Sequence, residues 1–352
     1  MKPRDFAARM ARCLAQGAPW PGAVAVSGGS DSTALMLFLA EWAGTAQRPL
    51  PTVLTVDHGL SKGSALTAAK VVRDARRHGL DGHVLAWKGR KPKSDIEAAA
   101  REARYRLMGA WCMAHGIKGL YVAHTEEDQA ETFLLRLARG SGLDGLAAMR
   151  MRSPFPMPGL EKLCVIRPLL DTSRADLRAW LAARNEEWVE DPMNDDPRFA
   201  RVRIRQAWPE LASLGLSATR IAAAAQHLAR ARDALEDATM EFLDHACRFE
   251  RERVLLDGAR FVALAPEIGL RALAHILSRV SGETYRPRFE RLERLYRSIG
   301  DGEFKTARTL HGCRVGRAPK AAAVFGPFTL IVAREPRRRE IRQGVAVRGQ
   351  IS

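Results

Sequence analysis

"AVAVSGGSDSTAL" (Ala23–Leu35) is the stretch whose reading decides the fold. Four apolar residues run into two glycines bracketed by serines, then an aspartate, then a helical run. An apolar strand, a bare turn and a helix start together open a βαβ unit. Helices in an open parallel sheet begin at the carboxyl ends of the strands, where ligands bind. Such a turn aims backbone N–H groups and the positive end of a helix dipole at one point. Ser27, Gly28, Gly29 and Ser30 leave room for a phosphate against the backbone, and Ser27, Ser30 and Ser32 add hydroxyl donors. The expected ligand is a phosphate group.

The turn also says which phosphate chemistry to expect. A GxxxxGK[ST] loop would bring a lysine to the outer phosphates of a nucleotide, and this stretch has none. A GxGxxG fingerprint is absent too. Instead Asp31 stands in the turn. Beside pyrophosphate an acid is repulsive unless a Mg²⁺ ion lies between them. Asp31 therefore reads as the metal-facing group. The expected leaving group is magnesium-bound pyrophosphate, so that ATP is opened between its α- and β-phosphates.

Outward from this turn the first half of the chain alternates. Strand-like runs at 22–26, 52–56, 83–87, 119–124 and 163–169 are separated by helical patterns at Ser32–Trp42, Ser64–His78, Asp95–His115, Gln129–Arg139 and Ser173–Asn185. That order predicts an α/β fold, a five-stranded parallel, doubly wound sheet with helices on both faces. The Pro- and Met-rich segment 149–161 reads as an excursion before the fifth strand. Beyond residue 205 the pattern turns helical, with one long run over Ser217–Phe249, helices near Pro266–Val280 and Arg286–Ile299, and short strands within 305–335. The expected domains are a catalytic domain, 1–209, a mainly helical substrate domain, 210–335, and a loose basic tail, 336–352.

Composition narrows the class. The chain has 352 residues, 46% of them apolar, and a net charge of +16. A positive surplus of that size attracts polyanions, nucleic acid first among them. An arginine-rich composition with no such partner is the plainer alternative. The longest apolar runs are far too short to cross a bilayer, so no membrane is expected. The N-terminal stretch reads as an amphipathic helix and not as a signal peptide. Five scattered cysteines form no CxxC pair. They point to a reducing, cytoplasmic setting and away from zinc or an iron–sulfur cluster.

Several further segments carry chemistry. "VDHGLS" (56–61) places Asp57 and His58 at the end of the second strand, where they either contact nucleotide or simply close a turn. "AAAREARYRLM" (98–108) puts Arg101 and Arg104 on one helix face and Arg106 on another. "AHTEEDQAETFLLRLARGSGLDGLAAM" (123–149) gathers His124, Asp128, Gln129 and Glu131 at a helix start and Arg139 in a glycine-interrupted loop, where Gly140 suits a helix C-cap. Acids at a helix start favour the dipole in any protein. "WVEDPMNDDPRFARVRIR" (188–205) has arginines at 198, 201, 203 and 205, the last three at alternate residues that would line one face of an extended strand or meet RNA phosphates.

With "SGGSDS" (Ser27–Ser32) these segments, and "IRPLLDTSRADLRAWL" (166–181), resemble the tRNA(Ile)-lysidine synthetases, a branch of the PP-loop ATP pyrophosphatases. The resemblance is close over about 20–205 and looser to about 335. It implies an ATP- and Mg²⁺-dependent ligase that joins free L-lysine to C2 of cytidine 34, in the CAU anticodon of a minor isoleucine tRNA, through an adenylated base. It implies ATP contacts from Ser27, Gly28, Gly29, Ser30, Asp31, Ser32, Asp57 and His58. Catalytic roles fall to Asp31, Asp128 and Arg104. Lysine contacts fall to Asp128 and Glu131, with Asp128 the candidate acceptor of the lysine proton, and tRNA contacts to Arg139, Arg201 and Arg205. Val202 stands where the family carries Asn, in its Arg-Asn-x-x-Arg run, so the amide of that position is not carried over here, while Arg201 and Arg205 are. A homodimer is compatible with this reading. The rivals are a tRNA thiolase, which would want paired cysteines, and a non-catalytic nucleotide- or RNA-binding protein, which would not need Asp31, Asp128 and the arginines together.

Overall fold

The structure is a computed structural model that describes residues 3–61, 63–92, 94–190, 196–283, 285–300, 304 and 306–335. The tail beyond 335 and residues 191–195 of the acidic loop lie outside the described residues.

The chain packs as two units, Met1–Ala229 and Arg230–Ser352. In the first, α1 (Pro3–Ala15) leads into β1 (Ala23–Ala25), α2 (Ser30–Thr45), β2 (Thr52–Asp57), α3 (Ser64–Arg77), β3 (Gly82–Ala86), α4 (Ile96–Ala114) and β4 (Gly119–Tyr121). There follow α5 (Glu126–Leu137), α6 (Leu143–Leu146), β5 (Arg152–Pro154), β6 (Cys164–Ile166), α7 (Arg174–Ala182), α8 (Ala200–Gln206), α9 (Trp208–Ser213) and α10 (Ala218–Ala246). The unit division falls within α10. A catalytic domain ending at 209 remains a proposal about how the chain folds.

Among the described residues the strands order as β3-β2-β1-β4-β6-β5. The five expected strands are parallel. A sixth, β5, pairs antiparallel with β6, so the segment read as an excursion is half of a hairpin. Strand order reverses between β1 and β4, and the carboxyl ends of those two strands flank the crevice where such sheets bind ligands. Phe6, Phe38 and Trp180, from α1, α2 and α7, stack on one face of the sheet, with ring centroids 5.0 Å and 4.0 Å apart. Tyr105, Met108 and Cys112 of α4 cover the other face, beside Leu120 and Val165. Helix α2 is buried nearly all round, from Ser32 through Leu39. Its first turn is therefore firmly seated, with Asp31 on the open side, which suits a rigid cradle.

The second unit keeps the expected predominance of helix, in the rest of α10, α11 (Gly258–Val262), α12 (Pro266–Ser281) and α13 (Phe289–Gly300), which follow β7 (Cys247–Phe249) and β8 (Arg253–Asp257). Its strands are more organised than their shortness suggested. With β9 (Arg308–Leu310), β10 (Cys313–Arg317) and β11 (Thr329–Arg334) they form an antiparallel sheet, β7-β8-β11-β10-β9. Phe261, Leu273, Ile276, Leu277, Val315 and Leu330 fill the space between this sheet and its helices.

Candidate active site

The turn after β1 folds on its own hydroxyls. Ser27 N–H donates to Ser32 Oγ at 3.1 Å, and Ser32 Oγ donates to the Gly29 carbonyl at 3.0 Å. Gly28 takes φ +93°, and a Cβ there would come within 3.0 Å of Thr67 Cγ2, so both conformation and space call for glycine. Gly29 is extended and caps α2, which starts at Ser30, two residues earlier than its apolar pattern suggested. Asp31 consequently lies on the first helical turn and not in the loop before it. The first N–H groups of any helix lack an intrahelical acceptor. Here they open beside Ser27, which is exposed.

Asp31 is not isolated. Its Oδ2 accepts from Arg174 Nε at 2.9 Å and its Oδ1 from Ser30 Oγ at 3.2 Å. Arg174 begins α7, and no sequence argument singled it out. The signal was present: a cation in the first turn of a helix opposes the dipole and calls for an acidic partner. Arg174 has several. Besides Asp31 it reaches Asp128 at 3.8 Å and Glu131 at 4.0 Å, while Glu127 accepts its backbone N–H. Burial alone would lower the Arg174 pKa, but Asp31 and Asp128 outweigh it and raise the pKa above the ordinary arginine value. One guanidinium thus spans the crevice from the β1 side to the β4 side.

On the β4 side, Thr125 caps α5, which starts three residues before the expected Gln129. Asp128 Oδ2 accepts from Thr125 N–H at 2.9 Å and from Thr125 Oγ1 at 3.1 Å, while its Oδ1 accepts from Arg201 Nη1 at 3.0 Å. The capping role and a chemical role are therefore compatible, because one oxygen caps and the other faces charge. Burial opposes the Asp128 charge, yet its neighbours, the Arg174 and Arg201 guanidinium groups and the Thr125 N–H among them, hold its pKa below the usual range. Glu131 is fully buried and gripped by Arg205 through two bonds, 2.6 and 3.2 Å. Burial still dominates there and raises the Glu131 pKa.

The "RVRIR" run is helix α8, not an extended strand. Four residues apart on a helix, Arg201 and Arg205 share a face, and that face meets Asp128 and Glu131. Val202, at the asparagine position, is buried. Removing Arg205 should leave Glu131 charged and under-partnered. We expect Arg205→Ala to cost about 2–3 kcal/mol, less than for a fully buried pair because Arg205 stays 30% exposed. The urea midpoint should recover in Arg205→Ala/Glu131→Gln; no recovery would mean the ion pair is not what Arg205 supplies.

The remaining expected residues sit as follows. Asp57 accepts from Gly59 N–H at 3.0 Å and from the Ser64 hydroxyl; that hydroxyl is the main cause of its lowered pKa. His58 Nδ1 accepts from Leu60 N–H at 3.1 Å. Both close the turn after β2, which matches the turn reading and leaves nucleotide contact as a proposal. Arg101 lies over the Tyr105 ring. Arg104 keeps an exposed surface, yet its guanidinium is crowded enough that burial, then the Arg101 charge, lowers its pKa. Arg139 is exposed. Helix α5 ends at Leu137 with Ala138 as its C-cap, and Gly140, at φ +70°, closes the turn beyond it, Gly140 N–H donating to the Leu137 carbonyl and Ser141 N–H to the Arg136 carbonyl.

A glycine–serine cradle at the β1–β4 switch point, facing buried carboxylates and arginines across it, defines a PP-loop nucleotide-binding domain. A family profile described as a PP-loop domain matches residues 4–211. The tRNA(Ile)-lysidine synthase of Methylobacterium nodulans is 43% identical over 295 residues, covering 82% of this chain and 84% of that protein. That of Rhodopseudomonas palustris is 38% identical over 325 residues, 91% of this chain and 92% of the relative. The chain belongs to the tRNA(Ile)-lysidine synthase family. Among solved structures, the U34-tRNA thiolase NcsA from Methanococcus maripaludis, with its 4Fe–4S cluster, shares the fold at TM-score 0.50 and 14% identity, over 64% of this chain and 80% of that one.

Proposed function

We propose that this protein ligates free L-lysine to C2 of cytidine 34 in the CAU anticodon of a minor isoleucine tRNA, converting ATP to AMP and pyrophosphate. One observation carries the reading within the family. The cradle after β1 and the Asp128–Glu131 pair after β4 meet across the switch point, joined by Arg174.

In the first step the C2 oxygen attacks the α-phosphorus of ATP. The bond from that phosphorus to its bridging oxygen breaks, and pyrophosphate leaves into the cradle of Ser27–Ser32. Asp31 offers a carboxylate oxygen of the kind Mg²⁺ takes. Among the described residues no three acids, histidines or cysteines group into a metal site. A site with one protein carboxylate and the triphosphate supplying further oxygens fits that chemistry. Bound there, Mg²⁺ would neutralise charge on the outer phosphates. Arg104 supplies positive charge for the adenylated base.

In the second step the lysine Nζ attacks C2, and AMP leaves with the oxygen. The amine must first lose a proton, since free lysine is mostly ammonium at neutral pH. Asp128 and Glu131 bind the ammonium in place of the arginines that now cover them. The family resemblance points to Asp128 as the acceptor of that proton. A lowered pKa makes Asp128 the weaker base and a raised one makes Glu131 the stronger, so we assign the proton to Glu131 and the anchoring to Asp128. We place tRNA phosphates on Arg139 and the basic surface, and the reaction in the cytoplasm. No helix among the described residues is long and apolar enough to cross a membrane.

The test is incorporation of labelled lysine into bulk tRNA with ATP. Label should enter one minor isoleucine tRNA. Label in no tRNA, or nucleotide turnover indifferent to lysine but driven by a sulfur donor, would overturn the proposal in favour of a binder or a thiolase.

A further inference from the structure

We infer that Arg167 is a positioning residue: it fixes His124 as a neutral imidazole that donates through Nε2, and so removes His124 as the base of the reaction. The inference deepens the function proposed above and rests on it for its catalytic meaning.

Arg167 follows β6 directly and is buried. Its Nε donates to His124 Nδ1 at 3.1 Å. Its Nη1 donates to the Arg150 carbonyl at 3.0 Å and to Ser153 Oγ at 2.9 Å. Its backbone N–H donates to the Met151 carbonyl at 2.8 Å. The β5–β6 hairpin therefore anchors the guanidinium in place. Arginine does not give up its proton in proteins, so it can only donate. Nδ1 of His124 must then present a lone pair, and a neutral ring must carry its proton on Nε2.

Protonating the ring would set an N–H against an N–H and a cation beside Arg167. The charged groups around His124 are Asp128, Arg167, Arg101 and Arg201. Asp128 favours the imidazolium, but burial and the three arginines prevail and lower the His124 pKa to about 3. Neither nitrogen keeps a lone pair for lysine: one is held by Arg167 and the other is protonated. What remains is a donor at the carboxyl end of the β4 crevice, four residues before Asp128, suited to an oxygen that gains negative charge as a phosphate or base is displaced. The carboxylates are left as the proton acceptors.

Nitrogen NMR of the full chain, labelled at the histidine rings, tests this without any turnover. The His124 resonances, assigned by their loss in His124→Gln, should show a protonated Nε2, a bare Nδ1 and no titration between about pH 5 and 8. A protonated Nδ1, or a ring that titrates in that range, overturns the inference from the wild-type spectrum alone. Arg167→Lys keeps a cation but loses the fork that grips the hairpin, and should let the ring exchange between tautomers; an unchanged tautomer overturns the role of Arg167. Glutamine keeps an N–H donor and cannot act as a base. Lysine transfer by His124→Gln should fall by about tenfold or less, against the roughly 10²–10⁴-fold loss expected of a missing base. Failure of the wild type to transfer lysine would refute the proposed function and leave the tautomer result standing.

Discussion

Asp128→Asn should lower lysine transfer to tRNA by about 10³-fold or more, while tRNA-dependent ATP–pyrophosphate exchange stays within about tenfold of the wild type. Asparagine keeps the shape and can still accept from Thr125, so the α5 cap survives. The lost charge is the one that faces Arg201 and, at longer range, Arg174. On the proposed reading, adenylation takes place in the cradle after β1 and needs no ammonium. The second step needs the lysine amine held against the activated base. A parallel fall in both half-reactions would show that Asp128 serves the whole site and not lysine in particular.

Asp31→Ala should abolish both half-reactions, each by about 10³-fold or more, because in the proposed first step pyrophosphate leaves as a magnesium complex that Asp31 would hold. Folding should be preserved: Asp31 lies on the accessible edge of the crevice, with 20% of its side chain exposed, and Arg174 retains Asp128 and Glu131 as partners. Exchange surviving in this variant would detach the first crossover from the nucleotide. The two variants together separate the step served by β1 from the step served by β4.

Much of this was readable from residue order. Apolar runs alternating with helical periods defined the parallel sheet, and the SGGSDS turn marked the strand-to-helix crossover at its switch point. Helix starts were misjudged by two or three residues. Their caps, Gly29 and Thr125, work through backbone conformation and hydrogen bonds that an apolar pattern does not register. Strand β5 escaped notice because three residues ending in proline carry no alternation. The arginines of 201–205 alternate in sequence whether they lie on a strand or a helix. Only the packing of α5 on α8 showed that two of them turn inward to Asp128 and Glu131. Arg174 and Arg167 were missed for a related reason. Their meaning lies in partners 143 and 43 residues away in the chain, and no local spacing encodes such a pairing.

The central claim is that the cradle after β1 holds the outer phosphates of ATP while a tRNA base captures the adenylyl group. Product analysis with ATP labelled at the γ-phosphate tests it most directly. With tRNA and lysine present, the label should appear in pyrophosphate, in step with AMP and with lysine-bearing tRNA. Label released as inorganic phosphate, with ADP left behind, would contradict it.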